Sequence, residues 1–342
     1  MALPLIPTTL VGSYPQPDWL VDKAELLAHG PPRTRMESVW RQPHDLRGQA
    51  QDDAVLLAIR DQERAGLDIL TDGEVRRESY FNHFANALEG IDLDKPGVVL
   101  GRTGKPTEVP RVVGPIRRRA PVEVEAARFL RANTERATKI TVPGPFTMTM
   151  LAKDEHYGDD RKLAMAYADA VNAELKDLKA AGIDVLQIDE PYLSPNAEKA
   201  RGFALEAIER ALHGVEGPTA IHLCMGYAYV VKTKAKEYAF LRELNSTSAA
   251  QISIEAAEPD LDLAVLKDLP SKSVMVGVLN LGDPAIETPE LIEKRLAAAL
   301  RHIAPEHLIA APDCGMKYLP RATAYGKMAA MVEGARRVRA RL

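Results

Sequence analysis

Residues 219–224 read Thr219-Ala220-Ile221-His222-Leu223-Cys224, followed by Met225-Gly226. A short apolar run closes on His-x-Cys. Side chains alternate faces along a buried strand, so His222 and Cys224 project together from one strand end. The only other cysteine, Cys314, closes a second short apolar run in A-A-P-D-C-G-M-K, residues 310–317. Between them, Q-I-S-I-E (251–255) places Glu255 after a third such run. One histidine, two cysteines and one glutamate, each at a strand end, predict a zinc site. The rest of the chain is then the scaffold that gathers them.

Working outward, the same pattern repeats. I-D-V-L-Q-I-D-E-P (183–191) reads as a strand followed by a helix over 196–213, and the 219–223 strand is followed by a helix near 238–244. Strands at 251–254, 274–278 and 308–311 lead to helices near 262–269, 289–302 and 321–342. Toward the N-terminus there are strands near 8–12, 67–71 and 138–142, and helices over 45–66, 78–88, 122–133 and 161–181. Gly66 and Gly182 close two of these helices, as glycine does at left-handed caps. Residues 17–47 read as a long first loop with short helical pieces. The Gly-, Pro- and Arg-rich stretch 90–120 reads as a hairpin-like excursion. Eight strand–helix units predict a single-domain α/β fold over 1–342, a (β/α)8 TIM barrel with an enlarged first loop and one insertion. A doubly wound open sheet would carry a Gly-rich phosphate loop after its first strand, and G-S-Y-P-Q-P is not one.

In such a barrel the C-terminal strand ends form the active face. Ser13, Asp72, Glu74, Asp189, His222, Cys224, Glu255, Asp283, Asp313 and Cys314 all fall at or just beyond strand ends. Two thiolates, an imidazole and a carboxylate make zinc electron-rich. Such a zinc is poor at generating hydroxide and suited to exchanging a weak oxygen ligand for a substrate thiol, with Glu255 as the ligand that leaves. A zinc ribbon would pair its cysteines two apart, and these are not. Taken singly, each cysteine reads as a small buried hydrophobe; taken together with His222 they favour the metal. Glu74 and Asp189 could bind an ammonium group or share acid–base work. They could equally cap the following helices, the reading preferred for Asp72.

The bulk composition excludes several classes. Apolar content of 46%, charged content of 27% and a net charge of −4 are ordinary for a globular protein and give no footprint for nucleic acid. The one compact basic run, Arg117-Arg118-Arg119, reads as a solvated turn. Two cysteines cannot form a disulfide framework, which fits a reduced cytoplasmic setting. The N-terminal stretch lacks the features of a secretory signal, and no apolar run is long enough to span a membrane.

The motifs V-G-S-Y-P-Q (11–16), D-G-E (72–74), P-G-P-F-T (143–147), Q-I-D-E-P (187–191), H-L-C (222–224), I-S-I-E (252–255) and P-D-C-G-M-K (312–317) occur in the order seen in cobalamin-independent methionine synthases. The chain resembles their C-terminal catalytic barrel over nearly its whole length. The resemblance implies that His222, Cys224, Glu255 and Cys314 bind Zn2+. It implies that Glu74 and Asp189 hold the amino group of homocysteine, with its carboxylate around Ser13. Zinc-bound homocysteine thiolate would then take a methyl group from a methyltetrahydrofolate-type or corrinoid donor to give methionine.

Three departures touch the donor side. The resemblance covers only the catalytic half, and the N-terminal half that helps bind polyglutamylated folate is expected to be absent, which leaves room for a donor-supplying partner protein. The family's histidine after strand 7 is replaced at Gly282, with Asp283 as the candidate substitute. The pterin-contacting tryptophan stretch has no counterpart near His156 and Tyr157. Two other readings follow: a zinc alkyltransferase acting on another thiol, as in epoxyalkane–coenzyme M transferases, or a non-catalytic zinc or redox sensor. Retention of both Glu74 and Asp189 favours an amino-acid thiol.

Overall fold

The computed structural model describes residues 3–101, 104–226, 231 and 234–342. In chain order the helices and strands are α1 (Lys23–His29), α2 (His44–Ala65), β1 (Ile69–Thr71), α3 (Asn82–Ala85), β2 (Glu89–Leu100), β3 (Pro106–Arg117), α4 (Val124–Ala132) and β4 (Ala137–Pro143). They continue with α5 (Pro145–Met150), β5 (Lys153–Asp154), α6 (Asp160–Ala180), β6 (Val185–Asp189), α7 (Ala197–Leu212), β7 (Thr219–Leu223) and β8 (Gln251–Ile254). The last are β9 (Ser273–Leu279), α8 (Pro289–Ala299), β10 (Leu308–Pro312) and α9 (Arg321–Arg339). The helices expected near 238–244 and 262–269 are short 3-10 turns, Arg242–Ser246 and Leu263–Asp268.

Seven strands form one parallel sheet in the order β1-β4-β6-β7-β8-β9-β10. The closed eight-stranded TIM barrel predicted from the sequence does not form: the sheet is open, with β1 and β10 as its edges. Residues 8–12 are not a strand. They contribute two isolated parallel bridges, Thr8 to Ala310 and Thr9 to Ile69. Consecutive residues touch both edges, so the sheet is curled toward itself. The segment cannot continue as a ladder because side chains take its next carbonyls. Gln187 Nε2 donates to Val11 O at 3.1 Å, and Thr71 Oγ1 donates to Gly12 O at 2.8 Å. A periodic apolar run gave no sign that these carbonyls would be claimed from elsewhere.

The 90–120 excursion is a β2–β3 antiparallel hairpin, extended by a short parallel pairing of β3 with β5. The first loop holds only α1 and a 3-10 turn at Glu37–Val39. Helix α2 buries Ala54, Val55, Ala58, Ile59, Gln62 and Ala65, a helical spacing that faces the sheet. It stops at Gly66, whose φ of 90° is the left-handed geometry glycine adopts without a Cβ penalty.

Alternation along the strands separates two apolar layers. Ile140, Leu186, Ile188, Ile221, Leu223 and Ile252 belong to the main core. The intervening residues face the inside of the curl, where Val11, Val185, Ala220, Met275, Ile309 and Ala311 form a small cluster of their own. On β6 and β7 this inner face changes from apolar to polar toward the C-terminal end: Val185, Gln187, Asp189 on β6, and Ala220, His222, Cys224 on and after β7. The fold therefore fills one end of the curl with this apolar cluster, against which buried Lys139 lies with its Nζ 3.6 Å from Met275 Sδ, and gathers Asp189, His222 and Cys224 at the other. Among the described residues no helix is long and apolar enough to cross a membrane.

Candidate metal and substrate site

His222 and Cys224 leave β7 on the inner face, and Cys314 follows β10 two strands past β8. Their ligand atoms all lie within 4.8 Å of one another, and all three residues are buried. The sulfurs are 3.1 Å apart, well beyond a disulfide bond length of about 2.05 Å. His222 Nδ1 lies 2.9 Å from Ser253 Oγ on the neighbouring strand, which fixes the ring. Its Nε2 is buried with no hydrogen-bond partner among the described residues. Hydrogen bonding with Cys314, then the nearby His222 and Lys234, hold the Cys224 thiol well below its usual range despite its burial. The same interaction with Cys224, and burial, push Cys314 up. Two sulfurs 3.1 Å apart beside a buried imidazole are the donor set a tetrahedral zinc ion takes.

Glu255 stands apart from this group. Its Oε1 accepts from Met225 N at 2.7 Å, and its Oε2 pairs with Lys234 Nζ at 2.8 Å. Burial and the Cys224 sulfur push the Glu255 carboxyl up, and Lys234 opposes them. The structure thus gathers three of the four sequence-predicted ligands and gives the fourth a lysine. Lys234 was not foreseen: a single lysine in a loop carries no spacing signal.

Glu74 follows β1 through the turn Asp72-Gly73-Glu74. Its φ of 52° is left-handed, an unfavourable backbone state for a residue with a side chain. The state is held by Glu74 N donating to Asp72 Oδ1 at 3.0 Å. Asp72 does not cap a helix as the sequence suggests; it holds this turn and also pairs with buried Arg77. Thr141 Oγ1 donates to Glu74 Oε1 at 3.2 Å, while Oε2 is buried without a partner among the described residues. A Cβ on Gly12 would fall 2.2 Å from Glu74 Oε1, so a larger residue at 12 would push this carboxylate from its place. Asp189 Oδ1 accepts from Gln187 Nε2 at 2.8 Å. Burial pushes Glu74 up to about 7; Arg77 opposes it and Asp189 adds to it. Burial likewise raises Asp189. Neither acid caps a helix; Glu190 does. Its carboxylate accepts from Phe146 N at 3.0 Å and Thr147 N at 2.8 Å, at the start of α5. Gly144 makes room for it, since a Cβ there would lie 2.3 Å from Glu190 Cδ.

Glu74, Asp189, His222, Cys224 and Cys314 line one cavity of about 420 Å³. The first loop reaches it through Pro31 and Arg33, and the β2–β3 hairpin through residues 105–107. Both irregular excursions in the sequence therefore cover the site. Ser13 is buried, its Oγ has no partner among the described residues, and it is not part of the lining. Asp283 is exposed, lies outside the lining, and its Oδ1 accepts from Ala285 N at 2.9 Å. Asp313 is structural: its carboxylate accepts from the backbone of Ala256, Ala257 and Glu258, holding the loop after β8.

The profile of the catalytic domain of cobalamin-independent synthases matches residues 6–337. The chain belongs to that family. It is 32% identical to a methionine synthase of Thermococcus kodakarensis, over 100% of this chain and 96% of the relative. It is 33% identical to a methionine synthase of Saccharolobus solfataricus, over 99% and 97%. The fold superposes with a TM-score of 0.90 on a B12-independent methionine synthase from Shewanella sp. W3-18-1 in complex with selenomethionine, at 34% identity and 98% coverage of both chains. These relatives of the catalytic-domain family are matched over nearly their whole length, so each has one unit of this size.

Proposed function

We propose that this chain is a zinc-dependent S-methyltransferase that forms methionine from homocysteine, acting as one catalytic unit over its whole length. The observation that carries the reading is a single cavity in which the His222–Cys224–Cys314 cluster faces the Glu74–Asp189 acid pair. Family membership supports methyltransferase chemistry of the methionine-synthase type. His222, Cys224 and Cys314 would hold the metal. Bound zinc would supply a Lewis acid that keeps a substrate sulfur in its thiolate form.

The protein's own groups do the remaining work. Glu74 and Asp189, both nearly sealed from water, would take the substrate ammonium between them. An ammonium relieves the repulsion that burial imposes on the two carboxylates, so binding pulls both toward ionisation. Coenzyme M-like thiols have no ammonium and would leave that repulsion uncompensated. The orphan Glu74 Oε2 is the acceptor this arrangement leaves vacant. Ser13, whose hydroxyl is buried beside this turn, would help fix the substrate carboxylate. Ser253 keeps the His222 ring turned, and Thr141 keeps Glu74 turned. The first loop and hairpin wall the cavity and limit water near the sulfur.

The methyl donor, of methylfolate or corrinoid type, would enter past Arg33 and the hairpin. Arg33 lies 5.2 Å from the centre of the Tyr80 ring, a flat cationic surface at that entrance. Delivery by a partner protein fits an entrance built from two excursions. Exposed Asp283 would take part only through donor-induced approach of its loop. The test is a donor panel. Zinc-loaded protein should methylate homocysteine from at least one of methylfolate, methylcobalamin or a methylcorrinoid protein. Failure with all three, in protein of full zinc content, contradicts the reading.

A further inference from the structure

We propose that Arg33 is a specificity-determining residue on the donor side of this cavity, where its guanidinium takes a free carboxylate of the methyl donor. The inference rests on reading the cavity as a methyl-transfer site, and it selects a methylfolate-type donor. Three consecutive carbonyls around Arg33 are tied down by side chains. Ser79 Oγ donates to Pro32 O at 2.6 Å, Asn86 Nδ2 to Arg33 O at 3.2 Å and Asn82 Nδ2 to Thr34 O at 2.8 Å. Ser79, Asn82 and Asn86 are buried, and their spacing of three and four residues puts them on one side of the α3 turn. The Arg33 side chain is held as well. Its guanidinium carbon lies 5.2 Å from the centre of the Tyr80 ring and 5.7 Å from that of Phe81, and Tyr80 hydrogen-bonds it.

What this guanidinium lacks is an anion. Its Nη1 is buried without a partner among the described residues. The other arginines of the first loop are paired: Arg35 with Glu37 and Glu78, Arg41 with Asp22, and Arg47 with Glu37. Arg33 has no such ion pair among the described residues. An unpaired cation away from water is costly, and a carboxylate that meets two N–H groups in parallel is the partner that fits the guanidinium fork. The cavity is polarised to match. Glu74 and Asp189 repel an anion and receive an ammonium, while Arg33, which lines the same cavity with Pro31 and Tyr80, attracts an anion. In an amino acid the ammonium and carboxylate sit on one carbon, so that carboxylate stays near the acid pair and Ser13. The anion for Arg33 then belongs to the second substrate. Methylfolates end in a glutamate with free carboxylates, whereas the side arms of methylcobalamin are amides.

Titration calorimetry of the full-length, zinc-loaded protein tests this with three probes: 5-methyltetrahydrofolate, methylcobalamin and homocysteine. Arg33→Met keeps a stem that packs on the rings and removes the charge. It should weaken 5-methyltetrahydrofolate about 10- to 100-fold, as loss of a charge-assisted hydrogen bond does, and leave the other two unchanged. Retained homocysteine binding also shows that the variant is folded. Arg33→Lys keeps the charge without the fork, so its affinity for 5-methyltetrahydrofolate should lie between those of wild type and Arg33→Met. If Arg33→Met does not fold, Arg33→Lys decides by the same comparison. Unchanged 5-methyltetrahydrofolate affinity in the variants overturns the proposal. So does an equal loss for homocysteine, which would assign the carboxylate to the amino acid. Methylation of homocysteine from methylcobalamin alone, with no binding of 5-methyltetrahydrofolate, keeps the methyltransferase reading and overturns this inference. Arg33-dependent binding of 5-methyltetrahydrofolate without methyl transfer from any donor overturns that reading and sustains Arg33 as the carboxylate site.

Discussion

Replacing Glu74 with glutamine should make the ligand-free protein more stable while disabling it. Gln keeps the shape, the left-handed backbone and the acceptor for Thr141 Oγ1, and removes the charge. Burial, opposed by Arg77 and reinforced by Asp189, raises the Glu74 carboxyl from 4.5 to about 7. For an acid raised on folding, the sign is unfavourable. The folded state resists ionisation, so stability falls as pH rises from the unfolded value through the folded one and stays reduced above it. A shift of about 2.5 units corresponds to about 3 kcal/mol at full ionisation. With an unfolding entropy of about 0.7 kcal/mol/K for a chain of this length, the Tm gain near pH 8 is about 4 °C. Below about pH 4.5 the gain should vanish, because both states of the wild type are then protonated. Calorimetry of both proteins across this range is the assay. Equal Tm at alkaline pH, or a gain that does not depend on pH, would refute the assignment of buried strain to this carboxylate. Affinity for homocysteine should meanwhile fall about 10- to 100-fold, as loss of a charged hydrogen bond of about 1.5–3 kcal/mol implies.

Further outcomes follow from the same geometry. Cys314→Ser should lower zinc affinity about 100-fold in a chelator competition, a one-ligand share of the roughly 10–16 kcal/mol typical of four-ligand zinc sites. Ser253→Ala should cost about tenfold in the same competition, because it frees the His222 ring without removing a ligand. Gly144→Ala places a methyl group against Glu190 and should destabilise the fold by about 1–3 kcal/mol in urea unfolding, with zinc content unchanged. Asp189→Asn should weaken homocysteine far more than the same thiol lacking its amino group, measured by calorimetric titration.

Much of the site was legible because strand alternation is a strong local rule. His222 and Cys224 share the inner face since they are two apart, and Ala220 below them confirms which face is inner. The β2–β3 hairpin and the irregular first loop were legible from glycine and proline content. The closed barrel was not. Residues 8–12 have strand-like composition, but Gln187 and Thr71, distant in sequence, take the carbonyls a ladder needs. Glu255 presents the same difficulty. Its position after β8 marks it as a ligand candidate, while its partner is set by Lys234, 21 residues away. Glu190 and Gly144 also explain one another only in three dimensions: the glycine of P-G-P exists to admit the carboxylate of D-E-P. Composition-driven alternation thus places residues on faces. It does not decide which of several buried partners a charged group takes.

Zinc K-edge X-ray absorption of the purified protein, with and without homocysteine, tests the site most directly. The resting spectrum should show two sulfur neighbours and one imidazole nitrogen, and homocysteine should raise the sulfur count to three. A zinc environment without sulfur, or a sulfur count that homocysteine leaves unchanged, would contradict a thiol-activating metal centre at His222, Cys224 and Cys314.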